Sequence, residues 1–163
     1  MEATYAYLAG VIDADGHITI VRSVRSTAAG PRTYYTVRIG ITGTRPAPHE
    51  LAKDTFGGSL RCNTPTNPAH RPVYVWDAGS RIAETALRHL EPHLRVKQVQ
   101  ARAALSFLDL CTAQQATLHA TTVPPYRITD DMMAERERWW QAVTEANEPR
   151  NRRVHFPSPQ ATA

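Results

Sequence analysis

Two carboxylates near the start of the chain have a spacing that suits metal binding. Asp13 and Asp15 end the almost wholly apolar segment Leu8–Ile12, and Gly16 follows them. The apolar segment has helical periodicity, so both acids would lie at the C-terminal end of a helix. That end carries the negative pole of the helix dipole, where an uncompensated acid costs about 0.3–1 kcal/mol. A divalent metal ion would supply the compensating charge.

Other metal centres fit the sequence poorly. His89 and His93 are four residues apart, but Pro92 interrupts the helix that would align them, so we expect no zinc site there. Asp13 does not begin a calcium-binding loop, because Val24 occupies the loop position at which a bidentate glutamate is needed. The glycines do not assemble into a phosphate-binding loop.

The helix that carries the two acids, from about Glu2 to Ile12, has two neighbouring stripes of side chains. A bulky stripe suits the chain's own core, whereas a stripe of small residues lets another backbone approach closely. From the pattern alone, the partner is either another helix of this chain or the same helix of a second copy across a two-fold axis. The bulky stripe comprises Tyr5, Leu8 and Ile12, and the small stripe comprises Ala6, Ala9, Gly10 and Asp13.

After the helix the hydrophobic period changes to two, which predicts β-strands. His17–Ser23 places Ile18 and Ile20 on one face, and Arg32–Thr42 alternates in the same way. We predict a loop for the intervening residues, Val24–Pro31. The outward face of both strands is polar, aromatic and basic, although any antiparallel sheet with one solvated face has this pattern.

The remaining elements predict an α+β domain of order αββαββα with further helix. We expect a four-stranded antiparallel saddle of a sheet with helices on one face. A two-stranded ribbon of such a sheet fits the major groove of DNA. We predict one domain over residues 1–147 and a mobile basic tail over 148–163. The later segments are helices Pro48–Phe56, Ser80–Leu90, Lys97–Thr112 and one from Thr129 to Asn147, with strands Ser59–Thr64 and Val73–Asp77.

The composition favours a polyanionic partner. The formal net charge is +4, and only Lys53 and Lys97 of the 19 Lys and Arg residues are lysines. Arginine suits bidentate contacts to phosphate and guanine, although a GC-rich coding sequence gives the same excess. Cys62 and Cys111 stand apart, which suits a reducing compartment. With no signal peptide or membrane span, we expect a cytoplasmic protein, encoded by a bacterium or phage or in an organelle.

Leu8–Gly16 reads LAGVIDADG and resembles the LAGLIDADG motif of homing endonucleases, with Val11 as the one change in nine letters. The resemblance implies the single-motif type, which forms a homodimer by packing two motif helices across a two-fold axis. It places the small stripe, Ala6, Ala9, Gly10 and Asp13, at that interface. It also implies that Asp15 and the Ala14 carbonyl bind a divalent metal, expected to be Mg²⁺ because the ligands are oxygens.

Two further positions follow from the same resemblance. The family has a lysine in a Leu-x-x-Lys-Gln context, which Leu94-Arg-Val-Lys97-Gln98 matches, so Lys97 is the second predicted catalytic residue. Some relatives carry a water-orienting glutamine near the end of the second strand. Gly43 occupies the corresponding position here, and this departure puts that role in doubt.

By this resemblance the protein makes a staggered double-strand break in a long pseudo-palindromic DNA target by metal-dependent phosphodiester hydrolysis. The alternative is a LAGLIDADG-like protein that binds without cutting, either a DNA-binding regulator or an RNA-splicing maturase. DNA would be read by outward residues of the two hairpins, with arginines 38 and 61 the best suited to guanine. The predicted DNA-binding residues are His17, Thr19, Ser23, Arg25, Arg32, Tyr34, Arg38, Thr42, Arg61 and Asn63.

Overall fold

The computed structural model describes residues 1–28, 30–67, 69–121 and 126–148. Helices and strands follow one another there in the order that the sequence predicts. The predicted tail lies outside the described residues apart from Glu148. The elements are α1 (Glu2–Asp15), β1 (Gly16–Thr27), β2 (Gly30–Gly43), α2 (Pro46–Phe56), β3 (Ser59–Asn63), β4 (Val73–Gly79), α3 (Ser80–Leu90), a 3₁₀ turn (Glu91–His93), α4 (Gln98–Thr121) and α5 (Asp130–Asn147).

The four strands form one antiparallel sheet in the order β1-β2-β4-β3, with the helices packed on one face. The predicted α+β class is therefore confirmed. Leu8 and Ile12 of α1 are fully buried against this face, as the bulky stripe predicts. Trp76 of β4 donates its indole N–H to the carbonyl of Gly57 at 2.9 Å. This large core side chain therefore has a polar partner. The core residues contributed by the strands are Ile18, Ile20, Val37, Ile39, Ile41, Trp76 and Ala78.

The opposite face of the sheet carries the predicted polar side chains. Because cross-strand partners point to the same face, the register assigns each row directly. Cross-strand pairs of β1 and β2 on this face are Thr19 with Arg38, Ser23 with Tyr34 and Arg25 with Arg32.

The first hairpin is longer than its sequence suggests, so the predicted loop at Val24–Pro31 is wrong. β1 and β2 remain paired as far as Thr27 and Gly30, and the Thr27 hydroxyl donates to the Gly30 carbonyl at 2.7 Å. Val24 is 58% exposed although it points to the same face as the buried Ile20. The end of this ribbon therefore has no buried face, and the alternation that identifies a strand disappears.

The last two helices, α4 and α5, pack against each other and against β1. α4 continues to Thr121, beyond the predicted end at Thr112, because Gln114 and Leu118 are buried against α5. The side chain of Thr129 accepts from the N–H of Met132 and caps α5 as predicted. No helix in the described ranges is long and apolar enough to cross a membrane.

Candidate catalytic site and nucleic-acid interface

The α1 helix passes directly into β1 at Gly16, which is why the two acids lie beside the sheet. A Cβ on Gly16 would lie 2.7 Å from the Cα of Ile12 and 2.9 Å from the carbonyl oxygen of Gly40. Both neighbours are backbone atoms, so only glycine fits without displacing the helix or the strand. The helix end and its carboxylates are therefore held against the edge strand of the sheet.

Asp13 caps the start of α4. Its carboxylate accepts backbone N–H groups from Arg95 at 2.7 Å, Val96 at 3.1 Å and Lys97 at 2.8 Å. Partial burial opposes ionisation, but these three hydrogen bonds and the charge of Lys97 outweigh it and lower the pKa of Asp13. The structure thus uses Asp13 to orient the helix ends.

Lys97 in turn caps the C-terminal end of α1. Its ammonium group donates to the carbonyls of Ile12 at 2.9 Å and Asp13 at 2.6 Å. These carbonyls belong to the last turn of α1, where a cation is favourable to the helix dipole. Part of the positive charge that the sequence assigns to a metal is therefore supplied by a lysine. The result is a reciprocal cap, in which each helix end is held by a side chain from the other.

Asp15 remains free. Its side chain is exposed and has no hydrogen bond or ion pair with any other residue that the structure describes. The Ala14 carbonyl also lies in the last turn of α1, so no helical N–H is available to it. A carboxylate and a carbonyl that are both open beside a capped helix end fit a hard divalent cation, which prefers oxygen ligands. No cluster of three or more potential ligands occurs within the described ranges.

The exposed face of α1 includes only part of the predicted interface stripe. Ala6 and Gly10 are exposed, but Ala9 is fully buried in the core of its own chain and Asp13 is half-buried at its cap. Tyr7, which the sequence did not single out, is 50% exposed on the same side as Ala6 and Gly10. An added Cβ on Gly10 would meet no neighbouring atom within 4 Å in the part of the chain that the structure describes.

The predicted DNA-binding residues lie together on the open face of the sheet. Most of them are exposed, whereas Thr19 and Ser23 are half-buried. The guanidinium of Arg25 lies 5.2 Å from the ring centroid of Tyr34, a cation–π contact near the end of the hairpin. Arg61 and Asn63 extend the surface on β3.

Sequence reasoning missed Asp77 on this face. Its carboxylate accepts a hydrogen bond from the guanidinium of Arg38 and lies 3.9 Å from Nε2 of His17. Burial lowers the pKa of His17, as do the charges of Arg38 and Lys97, while Asp77 opposes them. The available signal was the alternation of β4, because an inward Trp76 requires an outward neighbour at the next position.

The Gly43 position has a structural explanation. Gly43 ends β2 on the helix-covered face, and a Cβ there would lie 3.3 Å from Cε1 of the buried His49. His49 is fixed in turn by a 2.8 Å hydrogen bond between Nδ1 and the Arg45 carbonyl. A glutamine at this position would have to displace the histidine ring.

The two histidines rejected as zinc ligands have other partners. His89 stacks on Tyr5 with ring centroids 4.8 Å apart. His93 lies 3.4 Å from a carboxylate oxygen of Glu2. They serve to hold α1 against α3 and the 3₁₀ turn.

The solved structures that resemble this fold include several homing endonucleases. The homing endonuclease I-CvuI, in complex with its DNA target, has a TM-score of 0.63 at 16% identity, covering 95% of this chain and 88% of its own. The archaeal intron-encoded homing endonuclease I-Vdi141I, also complexed with DNA, has a TM-score of 0.64 at 15% identity and coverages of 94% and 90%. The homing endonuclease I-TnaI has a TM-score of 0.58 at 15% identity, with 84% and 85% covered.

The chain has the LAGLIDADG homing endonuclease fold. The resemblance that LAGVIDADG suggests is thereby confirmed at the level of the fold. No family model and no curated protein matches the chain.

Proposed function

We propose that this protein is a homodimeric homing endonuclease that makes a staggered double-strand break in a long pseudo-palindromic DNA target. The observation that carries the proposal is the division of roles between the two motif acids. Asp13 is fully engaged with the N–H groups at the start of α4, whereas Asp15 is exposed at the same helix end, whose Ile12 and Asp13 carbonyls accept from the Lys97 ammonium. An open carboxylate on a helix end that a lysine holds in place is suited to phosphodiester hydrolysis with a divalent metal.

The exposed face of α1 supports the dimer. Glycine inside a helix costs about 0.5–1 kcal/mol relative to alanine. The described residues give Gly10 no neighbour that would require a glycine. Close approach of a second α1 across a two-fold axis supplies the missing reason, and Ala6 and Tyr7 would take part. The axis would also bring the two Asp15 carboxylates together.

Asp15 and the Ala14 carbonyl are the residues that would hold Mg²⁺, which supplies an activated water and charge neutralisation at the cleaved phosphate. The I-CvuI structures were obtained with Mg or Ca, which supports divalent metal use in this fold. Lys97, fixed by two carbonyls, would place its ammonium near the developing negative charge and act on it or on the attacking water.

Double-stranded DNA would bind the open face of the sheet. Its exposed basic side chains suit phosphates and guanine edges. The DNA complexes of I-CvuI and I-Vdi141I support this choice of partner. The residues proposed to contact DNA are His17, Thr19, Ser23, Arg25, Arg32, Tyr34, Arg38, Thr42, Arg61 and Asn63.

The test is cleavage by Asp15→Asn. A duplex that the wild type selects from a randomised pool serves as substrate, and Mg²⁺ is added or removed with EDTA. We expect Asp15→Asn to bind this duplex with wild-type affinity and to lose about a hundredfold or more in cleavage rate. Asp54→Asn removes an exposed acid from α2 and should cleave normally. Equal cleavage by Asp15→Asn would overturn the metal assignment.

A second candidate is a regulator or RNA-splicing maturase that binds without cutting. The packing of His49 at Gly43 favours it, because no side chain from that position can order water at the catalytic end. Tight binding by the wild type with no cleavage in Mg²⁺ or Mn²⁺ would support this alternative. An RNA partner would be identified by competition with the selected duplex.

A further inference from the structure

Asp77 is out of place on a surface proposed to bind DNA. It lies on the outward face of β4, on the same face as His17, Arg38 and Arg61. A carboxylate near phosphates weakens binding by repulsion. The side chain of Asp77 is nevertheless only 12% exposed, so it is held within the surface rather than projecting from it.

The register shows how Asp77 is held. His17, Gly40, Asp77 and Ser59 occupy one row across all four strands. Gly40 leaves the middle of that row without a side chain. A Cβ on Gly40 would lie 2.5 Å from Cε1 of His17 and 2.8 Å from the carbonyl oxygen of Trp76. The missing side chain therefore lets the His17 ring lean across β2 towards Asp77.

Each carboxylate oxygen of Asp77 has its own neighbour. Oδ1 lies 3.9 Å from Nε2 of His17, and Oδ2 accepts a hydrogen bond from a terminal nitrogen of Arg38. The Arg38 side chain is still 45% exposed, so the guanidinium keeps donors free for a ligand. A guanidinium fixed at one nitrogen loses less conformational freedom when it binds, which strengthens a bidentate contact.

We propose that Asp77 is a positioning residue that fixes Arg38 to read a guanine in the base pairs nearest the cleaved phosphates. This inference rests on the proposed nuclease function. Its location follows from His17, which is two residues from Asp15 and shares the row with Asp77. Arg38 lies directly beside that row, at the catalytic end of the open face.

The experiment compares base preferences selected from a randomised duplex pool by the wild type, Asp77→Asn, Arg38→Ala and the double variant. Asp54→Asn is the control for charge. We expect Asp77→Asn and Arg38→Ala to lose a guanine preference of roughly tenfold at the same position of each half-site. The double variant should lose no more than either single variant. Affinity of Asp77→Asn for random-sequence duplex should be unchanged or higher, because a negative charge is removed.

The outcomes separate this inference from the proposed function. If Asp77→Asn keeps every base preference, or loses preference evenly at all positions, Asp77 does not position Arg38. A wild type that selects no site and cleaves nothing contradicts the nuclease proposal instead. If Asp77→Asn fails to fold, Asp77→Glu keeps the charge but displaces the carboxylate, and it should weaken the same single preference.

Discussion

The two acids of the motif show how neighbouring residues of one type acquire different roles. Asp13 and Asp15 are separated by one residue, so they point in different directions from the helix end. Three N–H groups of the α4 start meet Asp13 and none meets Asp15. A carboxylate that is already saturated with donors is a poor metal ligand, and this makes Asp15 the better one.

The pH dependence of stability is the first prediction at the residue scale. The folded pKa of Asp13 lies below its ordinary value of 3.8, so the ionised form stabilises the fold at neutral pH. This contribution is lost as pH falls through the folded pKa. Asp13→Asn should therefore lose about 1 kcal/mol at about pH 6, and the difference from wild type should shrink below about pH 4. Urea unfolding of both proteins across this range measures it. A difference that is constant with pH would contradict the capping role.

Removal of the Lys97 ammonium is the second prediction. Lys97→Met keeps the alkyl stem but leaves the carbonyls of Ile12 and Asp13 without their donor. We expect cleavage to fall by about a hundredfold or more, with the dissociation constant for the selected duplex changed only a few-fold. Single-turnover cleavage and equilibrium binding separate the two. Lys53→Met, on the surface of α2, is the matched control. Cleavage that stays at the wild-type rate would show that Lys97 is only a structural cap.

At the scale of elements, the junction of α1 and β1 depends on Gly16. Gly16→Ala should lower the free energy of unfolding by about 1–3 kcal/mol, because the added methyl group meets the backbone of both Ile12 and Gly40. Thermal unfolding measures the loss. An unchanged melting temperature would mean that the helix end can shift away from the sheet without cost.

Much of the element order could be predicted because most segments have one buried face. Leu8, Ile12, Ile18 and Ile20 are all at most 2% exposed, and their spacing identifies α1 and β1. The outer end of the β1–β2 hairpin could not be recognised. Val24 is exposed there, so no buried face reveals the two-residue period of a strand. Hydrophobic periodicity does not identify an element where both of its faces are exposed to solvent.

The candidate site could be predicted in part. The family resemblance named Asp15 from the nonamer and Lys97 from its Leu-x-x-Lys-Gln context, but which face of α1 points outward was not visible in the sequence. Ala9 and Gly10 belong to the same small stripe, and only packing shows that Ala9 is buried while Gly10 is open. The links from Asp13 to Lys97 and from Arg38 to Asp77 join distant segments, and a local pattern cannot show them.

The protein is proposed to act as a homodimer, and substitution of Gly10 tests this. Gly10→Leu places a side chain where the described residues of the single chain leave open space, so the fold of each protomer should be preserved. A twin helix could not approach past that side chain, and the dimer should dissociate. Sedimentation with and without the selected duplex measures the association state. Ala116→Leu on the exposed face of α4 is the control. A Gly10→Leu protein that remains dimeric would place the interface elsewhere.

The reciprocal cap has a consequence for the order of folding. The nonamer is complete by Gly16, but the N–H groups and the ammonium that hold its end come from Arg95–Lys97, 82–84 residues after Asp13. A ribosome synthesises α1 long before it reaches Lys97, and closing so long a loop is slow compared with forming a helix. Until then Asp15 stands on a helix whose last carbonyls have no donor. The nascent chain therefore acquires the reciprocal cap at the end of α1 only after both hairpins have been made.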